Sequence, residues 1–121
     1  MENTSKKVLV VEDNEYNMLY LEEVMSMYPL TLITATNGLE AIDKAREHKP
    51  DLVLMDVKMP EMSGYEAAKE IRKIFPEVVI IAQTAYMLDS EAAGKDTFND
   101  YLIKPINKEQ ISRIVERYLS K

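Results

Sequence analysis

Val53-Leu54-Met55-Asp56-Val57-Lys58-Met59-Pro60 decides how the rest of the chain is read. Three apolar residues run into one aspartate, and the proline at 60 lacks the N–H that a continuing strand needs. A carboxylate at the end of an apolar run is either paired or functional, because a lone buried charge is costly. Two other apolar runs end in the same way: 8–11 in Glu12-Asp13, and 78–82 in Gln83-Thr84. A further short run, Tyr101-Leu102-Ile103, ends in Lys104. As strands of one parallel sheet, these runs would end on one rim carrying three carboxylates, a hydroxyl and an ammonium.

Outward from that stretch, residues 1–6 form a polar start, and 7–11 read as a buried strand with no polar face. Asn14 can cap a helix over about 15–27, with Leu21, Val24, Met25 and Tyr28 at helical spacing and Pro29 closing it. Residues 30–35 alternate more and suit a strand near an edge. Asn37-Gly38 turns the chain into a helix over 39–47, with Leu39, Ala41, Ile42 and Ala45 apolar. The third strand covers 52–56, the loop 57–63, and a helix 64–75 stops before Pro76. The fourth strand covers 78–82. Between it and the fifth, Gly94 and the polar run after it predict one or two helical turns followed by a mobile loop. Asn107 and Gln110 form a capping box for a last helix whose inward stripe is Ile111, Ile114, Val115 and Tyr118. Strand and helix alternate five times, the signature of an open parallel sheet covered by helices on both faces.

The chain has 121 residues, enough for one domain with its own core. No apolar run approaches a membrane span and no signal peptide opens the sequence, so a cytoplasmic protein without membrane contact is expected. The absence of cysteine excludes disulfide and thiolate chemistry. A net charge of −6 argues against direct nucleic-acid binding.

Glu12, Asp13 and Asp56 at one strand-end rim would either raise one another's pKa or hold a cation. Oxygen-only ligands with open water positions suit Mg²⁺, and one distant His with no Cys argues against zinc or copper. The plainer alternative is that Glu12 and Asp13 only open a loop and cap a helix. Lys104 and Thr84 strengthen the functional reading. Lys104 precedes Pro105, an X-Pro bond that can be cis and would then aim the lysine across the rim. A carboxylate nucleophile, Mg²⁺, an ammonium and a hydroxyl compose a phosphoryl-transfer site.

Four segments carry a resemblance: Val8-Leu9-Val10-Val11-Glu12-Asp13-Asn14; residues 51–60 with Ser63-Gly64; Thr84-Ala85; and Asp100-Tyr101-Leu102-Ile103-Lys104-Pro105-Ile106. In this order they make the chain resemble the receiver domain of two-component response regulators, over nearly all of residues 1–121. The resemblance implies an α/β, flavodoxin-like, doubly wound five-stranded parallel sheet in the order 2-1-3-4-5. It implies that Asp56 is the phosphoacceptor, charged by a histidine kinase or a histidine phosphotransfer domain. Mg²⁺ would be held by Asp13 and Asp56, by Glu12 through ordered water, and by the Lys58 backbone carbonyl. Thr84 and Lys104 would contact phosphoryl oxygens, and Tyr101 would be the aromatic switch. Glu12-Asp13-Asn14 with Asn17, and Ala82-Gln83-Thr84-Ala85-Tyr86, resemble receivers of hybrid sensor kinases, although single-domain regulators look alike. A monomer or weak dimer without an output domain is expected.

Within this pattern the segment between Thr84 and Lys104 is short, with Gly94 displaced, which predicts a truncated or partly melted fourth helix. Tyr86 would shield an acyl phosphate from water, and His48 reads as a solvated helix end. An aspartate-nucleophile phosphatase is the main alternative. That class usually has a second acid two residues past the nucleophile, where this chain has Lys58.

Overall fold

A computed structural model of the chain describes residues 6–59, 62–85 and 97–119. Five strands, β1 (Lys6–Val11), β2 (Leu30–Ala35), β3 (Leu52–Asp56), β4 (Val79–Thr84) and β5 (Asp100–Ile103), form one sheet. All neighbours are parallel and their order is β2-β1-β3-β4-β5, the flavodoxin-like arrangement expected. The connecting helices are α1 (Glu15–Met25), α2 (Gly38–His48) and α3 (Gly64–Ile74). The last helix, α4 (Lys108–Ile114), runs on into a wider π-type turn, Val115–Leu119.

Two apolar layers cover the sheet. α2 and α3 pack on the face bearing Leu9, Val11, Val53, Met55, Ile80 and Ala82. α1 and α4 pack on the face bearing Val8, Val10, Leu52, Leu54, Ile81 and Leu102. β1 and β3 are central and apolar on both sides, which is why Val8-Leu9-Val10-Val11 needs no polar face. Burying each such aliphatic side chain contributes roughly 1.5–3 kcal/mol, enough in sum to offset a few polar groups sunk at one rim. β2 is an edge strand, and its half-exposed alternation follows from having a partner on one side alone.

The caps explain where the helices begin. Asn14, Asn37, Ser63 and Asn107 each accept a hydrogen bond from the backbone N–H three residues on, and Ser63–Glu66 and Asn107–Gln110 close full capping boxes. α1 ends at Met25 and α3 at Ile74, slightly earlier than their apolar spacing predicts. After α1 the Met27 and Tyr28 N–H groups bond back only three residues, to Val24 and Met25, which tightens the last turn, so Met27 falls outside and is exposed. Leu39, at the start of α2, is 57% exposed, and Ala41, Ile42 and Ala45 make the buried face. The π-type turn rotates the end of the last helix, so Leu119 is buried and Tyr118 sits at the rim of the core.

The helix expected between the fourth and fifth strands, together with Tyr86, falls in residues 86–96 and lies outside the described residues. The mobile loop expected to follow is corrected at its end. Thr97 and Phe98 are buried, and the Asn99 N–H bonds to the Ile80 carbonyl at 2.7 Å. Asn99 reads as a loop residue, but its Oδ1 takes the Ile80 N–H at 2.8 Å and so serves the strand backbone.

Candidate functional site

Each residue of the rim is delivered by a strand end. β1 stops at Val11, which places Glu12 and Asp13 in the turn before Asn14 caps α1. β3 carries Asp56 as its last residue, aligned with Gln83 of β4. β4 runs two residues beyond its apolar run, so Gln83 and Thr84 are strand residues in the ladder and not a following turn. Lys104 follows β5, its N–H bonded to the Thr84 carbonyl at 2.9 Å, and the Lys104–Pro105 bond is cis.

Gly64 lets the loop after Asp56 fold back closely. A Cβ there would lie 2.1 Å from the Asp56 carbonyl oxygen and 2.6 Å from the Val57 Cα. Only a residue with no side chain tolerates such an approach.

The structure gathers the expected acids. One carboxylate oxygen each from Glu12, Asp13 and Asp56 lies within 4.8 Å of the others. Glu12 and Asp56 are each 1% exposed, while Asp13 is exposed. Lys104 Nζ sits 3.2 Å from Asp56 Oδ1 and 3.8 Å from Glu12 Oε1. Asp56 Oδ1 also accepts the Lys58 N–H at 3.1 Å. Lys58 thus reaches the site through its backbone, with its side chain exposed.

Burial, and then the charge of Asp56, push the Glu12 carboxyl from its ordinary 4.5 up to about 7. Lys104, the Asn14 N–H and Asn17 pull the other way without prevailing. Glu12 Oε2 accepts from Asn14 N and Asn17 Nδ2, but Glu12 Oε1 is buried without a hydrogen bond. An acid cluster so crowded, with an unsatisfied carboxylate oxygen, fits a small hard cation, and its all-oxygen donors fit Mg²⁺.

Thr84 is buried beside this centre. It lines a cleft of about 310 Å³ together with Asp56, Lys58, Tyr65 and Lys104. Tyr101 is half-buried, and its ring packs against Phe98 at 5.8 Å, which meets Tyr65 at 5.8 Å in turn. Tyr65 and Phe98 extend the expected aromatic position into a chain of three rings. In the sequence they are separated aromatics with nothing to join them. Gln83 is equally hidden in the sequence, where it stands as a polar strand end, yet it is 1% exposed. His48 stands at the end of α2 on the opposite rim, away from the acids.

The matches with known proteins agree with this geometry. The family model for the response regulator receiver domain matches residues 8–116. The polar-differentiation response regulator DivK of Brucella anthropi is 37% identical over 118 residues, 94% of this chain and 96% of DivK. The receiver domain of the sensor histidine kinase PA1611 of Pseudomonas aeruginosa, crystallised with a magnesium ion coordinated in its active site cleft, superposes with a TM-score of 0.86. It is 30% identical, with 95% of this chain and 98% of that one covered. A chain of the co-crystal structure of Saccharomyces cerevisiae Ypd1, a histidine phosphotransfer protein, with the receiver domain of its downstream response regulator Ssk1 gives a TM-score of 0.84. Identity there is 31%, covering 94% of this chain and 88% of that one. The phosphatase alternative has no support beside these matches. The acids gathered at the ends of β1 and β3, the lysine after β5 and the matched length together place the chain in the response regulator receiver family, the signalling switches of two-component systems.

Proposed function

We propose that this domain accepts a phosphoryl group on Asp56 from a phosphohistidine of a histidine kinase or a histidine phosphotransfer domain. The observation that carries the reading is a carboxylate 1% exposed at a strand end, 3.2 Å from a lysine ammonium and within 4.8 Å of two other acids. Glu12, Asp13, Asp56 and the Lys58 backbone carbonyl are the groups that would hold Mg²⁺. When bound, the ion offsets the negative charge that the reacting groups bring together.

In the transfer, an Asp56 carboxylate oxygen forms a bond to phosphorus as the phosphorus–nitrogen bond to the donor imidazole breaks. The electron pair leaves with the imidazole nitrogen. Lys104 and Thr84 supply donors for the phosphoryl oxygens, and burial of Asp56 keeps competing water low. Lys104, relieved of its pairing with Asp56, follows the new charge. Thr84 moves toward the phosphoryl group, and Tyr101 turns into the space beside it. Such a motion biases a two-state element at the β4–β5 side of the sheet, and thereby its partner-binding surface. The switch acts in the cytoplasm as a monomer or weak dimer, without binding nucleic acid or membrane itself. No described helix is long and apolar enough to cross a membrane.

Incubation with acetyl phosphate and Mg²⁺, read by intact mass, tests the reading. One phosphoryl group per chain is expected, lost in Asp56→Asn and without Mg²⁺. No adduct, or an adduct that survives Asp56→Asn, overturns it.

A further inference from the structure

Gln83 is a buried polar side chain at the rim for which phosphoryl acceptance as described has no use. It shares a sheet face with Ile81, the face covered by α1 and α4. Its ladder neighbours are Asp56 on β3 and Leu102 on β5, two residues before Lys104. Its Nε2 donates to the Val11 carbonyl at the end of β1, 3.4 Å away. β3 lies between β1 and β4, so the carboxamide reaches across the end of β3 and forms a floor beside Asp56.

The Gln83 Oε1 is buried and accepts no hydrogen bond. Leaving a buried carbonyl unpaired is costly, so packing alone does not account for a glutamine here. Methionine fills a similar shape without that cost.

Lys104 is placed to supply the donor. It lines the cleft that holds Asp56, Gln83 and Thr84, and also a second cleft of about 500 Å³ on the α1 side that holds Glu12, Asn17 and Gln83. Its ammonium has three N–H groups, and the two acids it faces are Asp56 and Glu12. A divalent cation among the acids would engage those same carboxylates and repel the ammonium. The lysine then needs a neutral acceptor that keeps it beside Asp56.

We propose that Gln83 is a positioning residue whose Oε1 holds the Lys104 ammonium beside Asp56 when a divalent cation occupies the acidic cluster. The inference rests on the phosphoacceptor reading and adds to it a resting place for the lysine before the phosphoryl group arrives.

A double-mutant cycle tests it, with Mg²⁺ binding as the readout. Mg²⁺ is titrated into the unaltered protein, Gln83→Met, Lys104→Met and the double variant, and followed by calorimetry. Gln83→Met weakens binding about tenfold when Lys104 is present, the worth of one hydrogen bond to a charged group. With Lys104→Met in place, the same change shifts binding by less than about twofold. Equal losses in both backgrounds, or no loss with Lys104 present, overturn the proposal. Should Gln83→Met not fold, the unaltered protein decides by nuclear Overhauser contacts between the Gln83 carboxamide and the Lys104 methylenes. They strengthen on adding Mg²⁺ if the proposal holds, and unchanged or weakened contacts overturn it. A wild-type protein that binds no Mg²⁺, or takes no phosphoryl group on Asp56, sinks the phosphoacceptor reading. One that does both but shows no coupling sinks this inference alone.

Discussion

The two rims of the sheet use polar residues in opposite ways. At the rim where the strands begin, Arg72 of α3 donates to the carbonyls of Pro76, Val78 and Thr97 and to Asn99 Oδ1. Asn99 Oδ1 also takes the Ile80 N–H, and Asp51 Oδ2 takes the Lys7 N–H. At the rim where the strands end, three acids crowd together, and Glu12 Oε1 and Gln83 Oε1 are buried without hydrogen bonds. One rim spends its polar groups on backbone that would otherwise be stranded, and it stabilises. The other concentrates charge beyond what its own donors balance, and it is built to receive something.

Gly64→Ala tests that contrast hardest. It adds a methyl group at the crowded end of β3, where the backbone has no room. We expect a loss of about 3–5 kcal/mol in urea unfolding, with Asp56 displaced and phosphoryl uptake lost. A protein of unchanged stability would show that the loop has slack.

Arg72→Ala strips the other rim. Charge-assisted bonds to the carbonyls of Pro76, Val78 and Thr97 vanish together, and a loss of about 3 kcal/mol is expected. Mg²⁺ affinity should stay within about twofold, because the acids lie at the far end of the strands. A large change in affinity would erase the division of labour between the rims.

The pH dependence sharpens the comparison. The Glu12 carboxyl is raised in the folded state from 4.5 to about 7, so the native protein binds the proton more tightly than the unfolded chain. The stability this contributes is full below about pH 4.5 and is lost as pH rises through about 7, a decline on the order of 3 kcal/mol. Without Mg²⁺, unfolding free energies measured across that range should show the decline, and Glu12→Gln should flatten it. A slope unchanged in Glu12→Gln would place the strain elsewhere.

Tyr118→Phe is the mildest test. The phenol donates to Asp100 Oδ2 at 3.0 Å, and Arg113 and Arg117 meet the same oxygen at 3.3 and 3.4 Å. These arginines are half-exposed or more and can compensate, so a loss of about 0.5–1 kcal/mol is expected in thermal melts.

Much of the molecule was legible in the sequence because its signals are local. The unbroken apolar runs at β1, β3 and β4 declare central strands, and the Asn and Ser caps mark helix starts. The acids stand at the ends of β1 and β3 and Lys104 directly after β5, so parallel pairing alone brings them to one rim. Asn99 is not legible in this way, because a polar residue that satisfies backbone looks the same in sequence as one that faces water.

The residue order by itself determined the sheet, its likeness to receivers, and which acids share a rim, since alternation, turn chemistry and strand ends are written one neighbour at a time. Only the tertiary structure decided that Gln83 spans the end of β3, that Phe98 links Tyr65 to Tyr101, and that Arg72 ties α3 to the entrance of β5. Each of these depends on residues distant in the chain meeting at a particular separation and angle. No local pattern records that geometry, because packing of the whole sets it.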